Sequence, residues 1–214
     1  MTKKKSNPHC PFPGCDATAP HADDPVVREL MLEFSSPERI THWALAVMTE
    51  LIESMCDDLS KKRMFAWHLR MRQPRELYIR TLYATLLAGE RELHHVLSGA
   101  PPNNLTFFYT EVNRSIFHNN GRLFAESAGF DGRPFTPIDN LNQSAHASFR
   151  SVGLCIKAKR QHYKLPTPQG VRASHANHHK FLAEMHRLFK AGKAKDEVRT
   201  RVIELHQSDP LSIT

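Results

Sequence analysis

Apolar side chains recur along this chain every three to four residues and almost nowhere every second one, the period of helices packed on one another. Val27, Leu30, Met31 and Phe34 follow Asp24-Pro25, an N-cap acceptor with proline at the first helical position, and predict a short amphipathic helix. Ser36-Pro37-Glu38 repeats the start signal. Ile40, Trp43, Ala44, Val47, Leu51, Ile52 and Met55 then form the stripe of a longer helix, which Asp57-Asp58-Leu59-Ser60 interrupts. The register restarts at Met64, Trp67, His68 and Met71. Pro74 opens another element, and residues 77–87 are apolar nearly all round, as in a helix at the centre of a bundle.

After Gly89 the pattern resumes at Leu93, Val96 and Leu97 and ends at Gly99 and Pro101-Pro102. Leu105, Phe108, Tyr109, Val112 and Ile116 predict a further helix. Residues 129–137, with an Asp-Gly turn and two prolines, read as a loop, and Leu141, Ala145, Phe149, Val152 and Ile156 as another helical stripe. Residues 166–170 read as a linker. Ser174 caps a helix carrying His178, Phe181, Leu182, Met185 and Phe189 that Gly192 terminates, and residues 196–206 form a last short one. The expected fold is all-α, a multi-helix bundle with a small Cys/His turn at the N-terminus. Its expected parts are a basic tail with that turn over 1–23, a helical body over 24–164 and a basic helical segment over 165–214.

The chain has 214 residues, 40% apolar and 24% charged, enough for a real core. No run approaches the roughly 18 apolar residues of a membrane span. No secretory signal follows the basic start, and four scattered cysteines suit a reducing compartment, so the expected location is the cytoplasm. The formal charge of +7 is unevenly spread. Residues 150–201 hold 13 Lys or Arg against three carboxylates, whereas 6–149 hold 13 against 17. A basic C-terminal third on a mildly acidic body points to a polyanion, and double-stranded DNA is the expected partner, contacted through phosphate by Lys157, Lys159, Arg160 and Lys164.

Residues 77–98 have the order of a helix-turn-helix: an apolar helix, a break at Ala88-Gly89-Glu90, and a short helix with Arg91, His94 and His95 as candidate base readers. A plain helical hairpin has the same order. Cys10 and Cys15, with four residues between them that include a Pro-Gly turn, and His21 are candidate ligands of a structural zinc ion, with His9, His42 or Cys56 as alternatives for the fourth. An ordinary turn with reduced thiols is the other reading.

Catalytic signatures are missing. There is no nucleophile elbow, phosphate-binding loop, dinucleotide fingerprint or His-Glu-x-x-His, and the Glu92/His95 pair has no second Glu-x-x-His to make a dinuclear site. Cys56 and Cys155 lie on apolar faces and read as inert core thiols. His175 and His179, with His178 between them, could face a divalent ion but read as a solvated or phosphate-facing helix start.

The run Leu-His-His-Val-Leu-Ser-Gly-Ala-Pro-Pro-Asn-Asn-Leu-Thr-Phe-Phe from Leu93 to Phe108 resembles a segment of the C subunit of the flagellar master transcriptional activator. His146-Ala-Ser148 with Phe149, and Ile156-Lys-Ala158, are similar to short blocks of that family in the same order. The chain lacks the family's C-terminal zinc-binding cysteine cluster. The resemblance implies a DNA-binding activator working in a hetero-oligomer. The expected function is accordingly a non-enzymatic DNA-binding transcriptional regulator, with a protein partner or a second copy of the chain. The alternative is a helical adaptor of a larger assembly.

Overall fold

Ser36 and Pro37 begin the longest helix as their sequence predicts. The Ser36 hydroxyl, on an extended backbone, accepts from the Arg39 N–H at 3.2 Å, and Pro37 follows at the first helical position. A computed structural model describes residues 25–97, 105–117, 127–128, 134–135 and 167–208. Helix α1 spans Pro25–Glu33, α2 Pro37–Ser60, α3 Met64–Arg70 and α4 Gln73–Leu82. A π-helical turn, Tyr83–Leu87, extends α4 directly, and α5 spans Glu90–Leu97. Next come α6, Leu105–Ser115, and a two-residue antiparallel ladder of β1, Ser127–Ala128, with β2, Pro134–Phe135. Helices α7, Pro168–Lys190, and α8, Lys195–Ser208, complete the described chain. The protein is all-α, with the two-residue ladder its one departure among the described residues. The predicted stripe from Leu141 to Ile156 and the segments 1–24 and 150–164 lie outside those residues.

Helices α2 and α7 run antiparallel and form the axis of the fold. Thr41 and Glu38 near the start of α2 meet His186 near the end of α7, and the Cys56 thiol near the end of α2 donates to the Pro168 carbonyl at 3.4 Å. Ala44, Met48, Ile52 and Met55 are buried along α2 at helical spacing, facing Phe181, Leu182 and Met185 of α7. Trp43 and Val47, predicted on that same stripe, stand 45% and 39% exposed. They are displaced from the buried row by one position, about 100° of helix rotation, and fall on its flank. Helix α4 fills the centre: Tyr78, Ile79 and Leu82 are fully buried against α2, α6 and α7, as the all-round apolar character of 77–87 predicts.

Two boundaries differ from expectation. Thr167, not Ser174, caps α7: its hydroxyl accepts from the Gly170 N–H at 3.0 Å, and Pro168 is the first helical residue. Most of the predicted linker is therefore the first turn of a helix in the same core. Gly192 does end α7, at φ +73, with its N–H to the Phe189 carbonyl and that of Lys193 to Leu188. This positive φ is where glycine's lack of a Cβ matters. The second difference is the π turn, closed by the Ala88 N–H donating five residues back to the Tyr83 carbonyl at 2.8 Å.

Candidate functional site

The break that sequence places at Ala88-Gly89-Glu90 is present and held from both sides. Ala88 is extended, with ψ at 134°, which stops the π turn. The Glu92 carboxylate reaches back to accept the Gly89 N–H at 3.1 Å, covering one donor at the start of α5. The carbonyls left at the end of the π turn are taken by α8: Arg199 donates to the Leu86 oxygen and Lys195 to the Ala88 oxygen, each at 3.2 Å. Two cations of the basic C-terminal third are thus committed to fixing the turn between α4 and α5.

Helix α5 turns Leu93 and Val96 to the core and rests against α1. Of the candidate base readers, Arg91 is exposed in its first turn and His94 is half-buried; His95 lies on the same helix. Glu90 and Glu92 share that first turn. They complement the helix dipole, but they also set two carboxylates around Arg91, where a major-groove reader would meet phosphate.

The cations of α7 and α8 are largely paired within the protein. Arg172 pairs with Glu53 at 3.0 Å, Arg187 with Glu184 at 2.7 Å, and Arg201 with Glu204 at 2.9 Å and Glu184 at 3.4 Å. Lys193 pairs with Glu197 at 3.0 Å, and Arg199 with Asp196 at 3.4 Å. Such exposed pairs contribute about 0–1 kcal/mol each to stability, but they neutralise the face they occupy. Lys157, Lys159, Arg160 and Lys164 lie outside the described residues.

The histidines depart most from expectation. His175 and His178 are not a solvated helix start: both are buried, and only His179 of the three is exposed. They occupy the core row Val171, His175, His178, Leu182, Met185 on α7. His206 of α8 joins them, its Nε2 2.8 Å from the Tyr78 hydroxyl of α4 and its ring against Phe117 and Phe181, at centroid distances of 4.8 and 4.9 Å. Tyr78 meets the His178 ring edge-on at 5.5 Å, and His175 lies 5.3 Å from His178. Arg75, in the first turn of α4, is buried beside them.

Loss of solvent is the first cause of every shift in this cluster. It lowers His206 to about 3, lowers His175 to about 4 with help from the Arg75 charge, and holds His178 well below the usual imidazole range. Burial also lowers Arg75 to about 10 and raises the Tyr78 phenol well above its usual value. With neutral rings, the cluster tethers α8 to α4 and α7 through Tyr78–His206 and aromatic packing. The Nδ1 atoms of His175 and His206 are buried with no hydrogen-bond partner among the described residues. All three histidines sit on apolar helical rows, a signal that is lost when histidine is counted as polar.

A second buried polar site closes the turn after α2. The Asp58 carboxylate is 1% exposed and pairs with Arg63 at 2.8 Å and with Arg70 of α3. The residues read from sequence as an interruption, Asp57 to Ser60, are instead the last turn of α2, and Asp58 among them holds α3 against it.

Cys10, Cys15 and His21 lie outside the described residues, and no group of three or more potential metal-ligating side chains occurs among those described. Cys56, an alternative fourth ligand, is committed to the α2–α7 interface, where burial raises its thiol. His42, another alternative, is exposed near the start of α2 beside His186, with ring centroids 5.6 Å apart. No described helix is long and apolar enough to cross a membrane. Fold and site together define the class, an all-α protein with a buried histidine–tyrosine cluster and a clamped inter-helical turn. Comparison with known proteins finds no matching family, curated protein or solved structure.

Proposed function

We propose that the protein is a non-catalytic, DNA-binding regulator whose phosphate contacts come mainly from residues 150–164. One observation carries this reading: cations of α7 and α8 are largely taken up by carboxylates and carbonyls, whereas 150–164 holds five Lys or Arg and no Asp or Glu. Surplus charge suited to counterion release is concentrated there, in Lys157, Lys159, Arg160 and Lys164. Helix α5, with Arg91 exposed, His94 half-buried and its entry clamped by α8, is the candidate base-reading element. Its acidic first turn makes that part of the proposal subordinate to the phosphate contacts. A salt series of binding to random duplex DNA tests the reading. Four phosphate contacts give a log–log slope of about −3.6, and replacing the four cations by Ala flattens it. Replacing Arg187 and Arg201 by Ala leaves it nearly unchanged, because both are paired with Glu184. An unaltered affinity and slope in the quadruple variant refutes the assignment.

An adaptor role is the second reading, favoured by Val26 and Leu32, which stand 59% and 70% exposed on α1. It predicts weak DNA binding and tight capture of a protein partner.

A further inference from the structure

Where the end of α1, the start of α2 and the end of α7 converge, Glu33, Glu38, Arg39, His42, Trp43, His186 and Lys190 line an open cleft of about 360 Å³. That volume falls within the roughly 300–1,000 Å³ of small-molecule sites. Its wall is a series of rings. Trp43, 45% exposed, meets His42 edge-on at 6.0 Å, and His42 lies 5.6 Å from His186. His186 is anchored, with its Nδ1 3.3 Å from both the Thr41 hydroxyl and the Glu38 carbonyl. Arg39 is held at the rim by the Leu32 carbonyl at 3.0 Å and by Glu33 at 3.7 Å.

The charges are not equivalent. Glu33 is matched by Arg39, and Glu38 sits in the first turn of α2, where the helix dipole favours a carboxylate. Lys190, in the last turn of α7, has no carboxylate partner among the described residues. An exposed indole thus shares a small cleft with an ammonium that makes no ion pair among the described residues and with polar groups that can meet the edge of a ring. Apolar packing alone does not explain that combination, since a core tryptophan would be covered and a solubility lysine would stand away from a cleft.

We propose that this cleft binds a small ligand joining a planar heteroaromatic ring to an anionic group, the ring stacking on Trp43 and the anion meeting Lys190, with Arg39 second. The site is independent of the DNA-binding reading, and its test involves no duplex DNA. A nucleoside monophosphate and an aromatic carboxylate share this chemistry, so AMP and indole-3-acetate are the two probes, with inorganic phosphate as the anion-only control. The chain has two tryptophans, so the full-length ¹⁵N-labelled protein gives two indole N–H signals. Trp67→Phe assigns them. At least one probe is expected to shift the Trp43 signal saturably below about 1 mM, and phosphate to bind at least about tenfold more weakly. Lys190→Ala, at an exposed position, is expected to weaken the probe about tenfold while circular dichroism and the Trp67 signal stay unchanged. Trp43→Ala, followed by calorimetry, is expected to abolish binding. AMP alone responding assigns the anion as phosphate, and indole-3-acetate alone as carboxylate. No saturable shift with either probe up to about 10 mM overturns the proposal, as does binding that Lys190→Ala leaves intact.

Discussion

Lowering the pH from 7.5 to 5.0 is the perturbation to which this fold is most exposed, because three imidazoles are buried in their neutral form. The folded-state values of His175, at about 4, His206, at about 3, and His178, well below the usual range, all lie under the unfolded value of about 6.5. The unfolded chain therefore binds more protons over this interval. The stabilisation is complete above pH 6.5 and is lost as the pH falls toward the folded values. At pH 5 the solution is about 1.5 units below the unfolded value, about 2 kcal/mol each for His175 and His206, so these two together cost about 4 kcal/mol and His178 adds in the same direction. A domain of ordinary stability has about 5–15 kcal/mol in all, so a substantial share of it is lost by pH 5. Paired carboxylates do not confuse the measurement, since Asp57, Glu184 and Glu197 are lowered by their cationic neighbours and titrate below that interval. Urea unfolding followed by circular dichroism at pH 7.5, 6.5, 5.5 and 5.0 gives the proton uptake directly. The wild type is expected to approach a slope of three protons below pH 6. His206→Gln, whose amide oxygen can accept from the Tyr78 hydroxyl, should approach two. A stability flat between pH 7 and 5, or an identical slope in the variant, refutes the assignment of neutral buried rings.

Leu86→Ala, at a buried position in the π turn, should cost about 2–5 kcal/mol of folding, whereas exposed Arg91→Ala should leave stability within about 0.5 kcal/mol; thermal unfolding of the pair separates packing from surface in this segment. Asp58→Asn removes the charge that Arg63 and Arg70 share and should cost about 1–3 kcal/mol, with faster amide exchange in α3 before the rest of the fold. Untagged protein should carry about one zinc equivalent through Cys10, Cys15 and His21, lost in Cys10→Ser or Cys15→Ser and kept in Cys155→Ser. Elemental analysis without stoichiometric zinc removes that site.

Helix positions were legible in this sequence wherever a cap and a stripe coincide. Ser36-Pro37 and the row Ile40, Ala44, Ile52, Met55 locate α2 from its residues alone, and Leu105, Phe108, Val112 and Ile116 do the same for α6. The start of α7 was obscured because Pro166, Pro168 and Gly170 resemble a linker. Thr167-Pro168 is nevertheless the same cap-and-proline signature as Ser36-Pro37. Trp43 and Val47 sit on the flank because a stripe a hundred degrees wide does not say which of its edges the neighbour covers. The histidine cluster needed the opposite correction. Spacing alone puts His175 and His178 in register with Val171, Leu182 and Met185, but only the packing of α4 and α8 shows that the rings are dry. Charge totals misled in a similar way, since counting Lys and Arg over 150–201 cannot reveal that Lys195 and Arg199 are bonded to backbone carbonyls.

The π turn at Tyr83–Leu87 makes the chain's length adjustable at one point. A π turn holds about one residue more than the α turn it replaces, so deleting a single residue there would leave a regular helix with nothing locally wrong. Because the π turn fits its extra residue into one revolution, that deletion would keep Tyr78 facing His206, whereas a deletion in the regular helix between Tyr78 and the π turn would rotate Tyr78 away from His206 by about 100°. Inheritable change in length is therefore absorbed within the π turn itself, while a few residues earlier, in the regular part of α4, it is absorbed only by the whole helix turning.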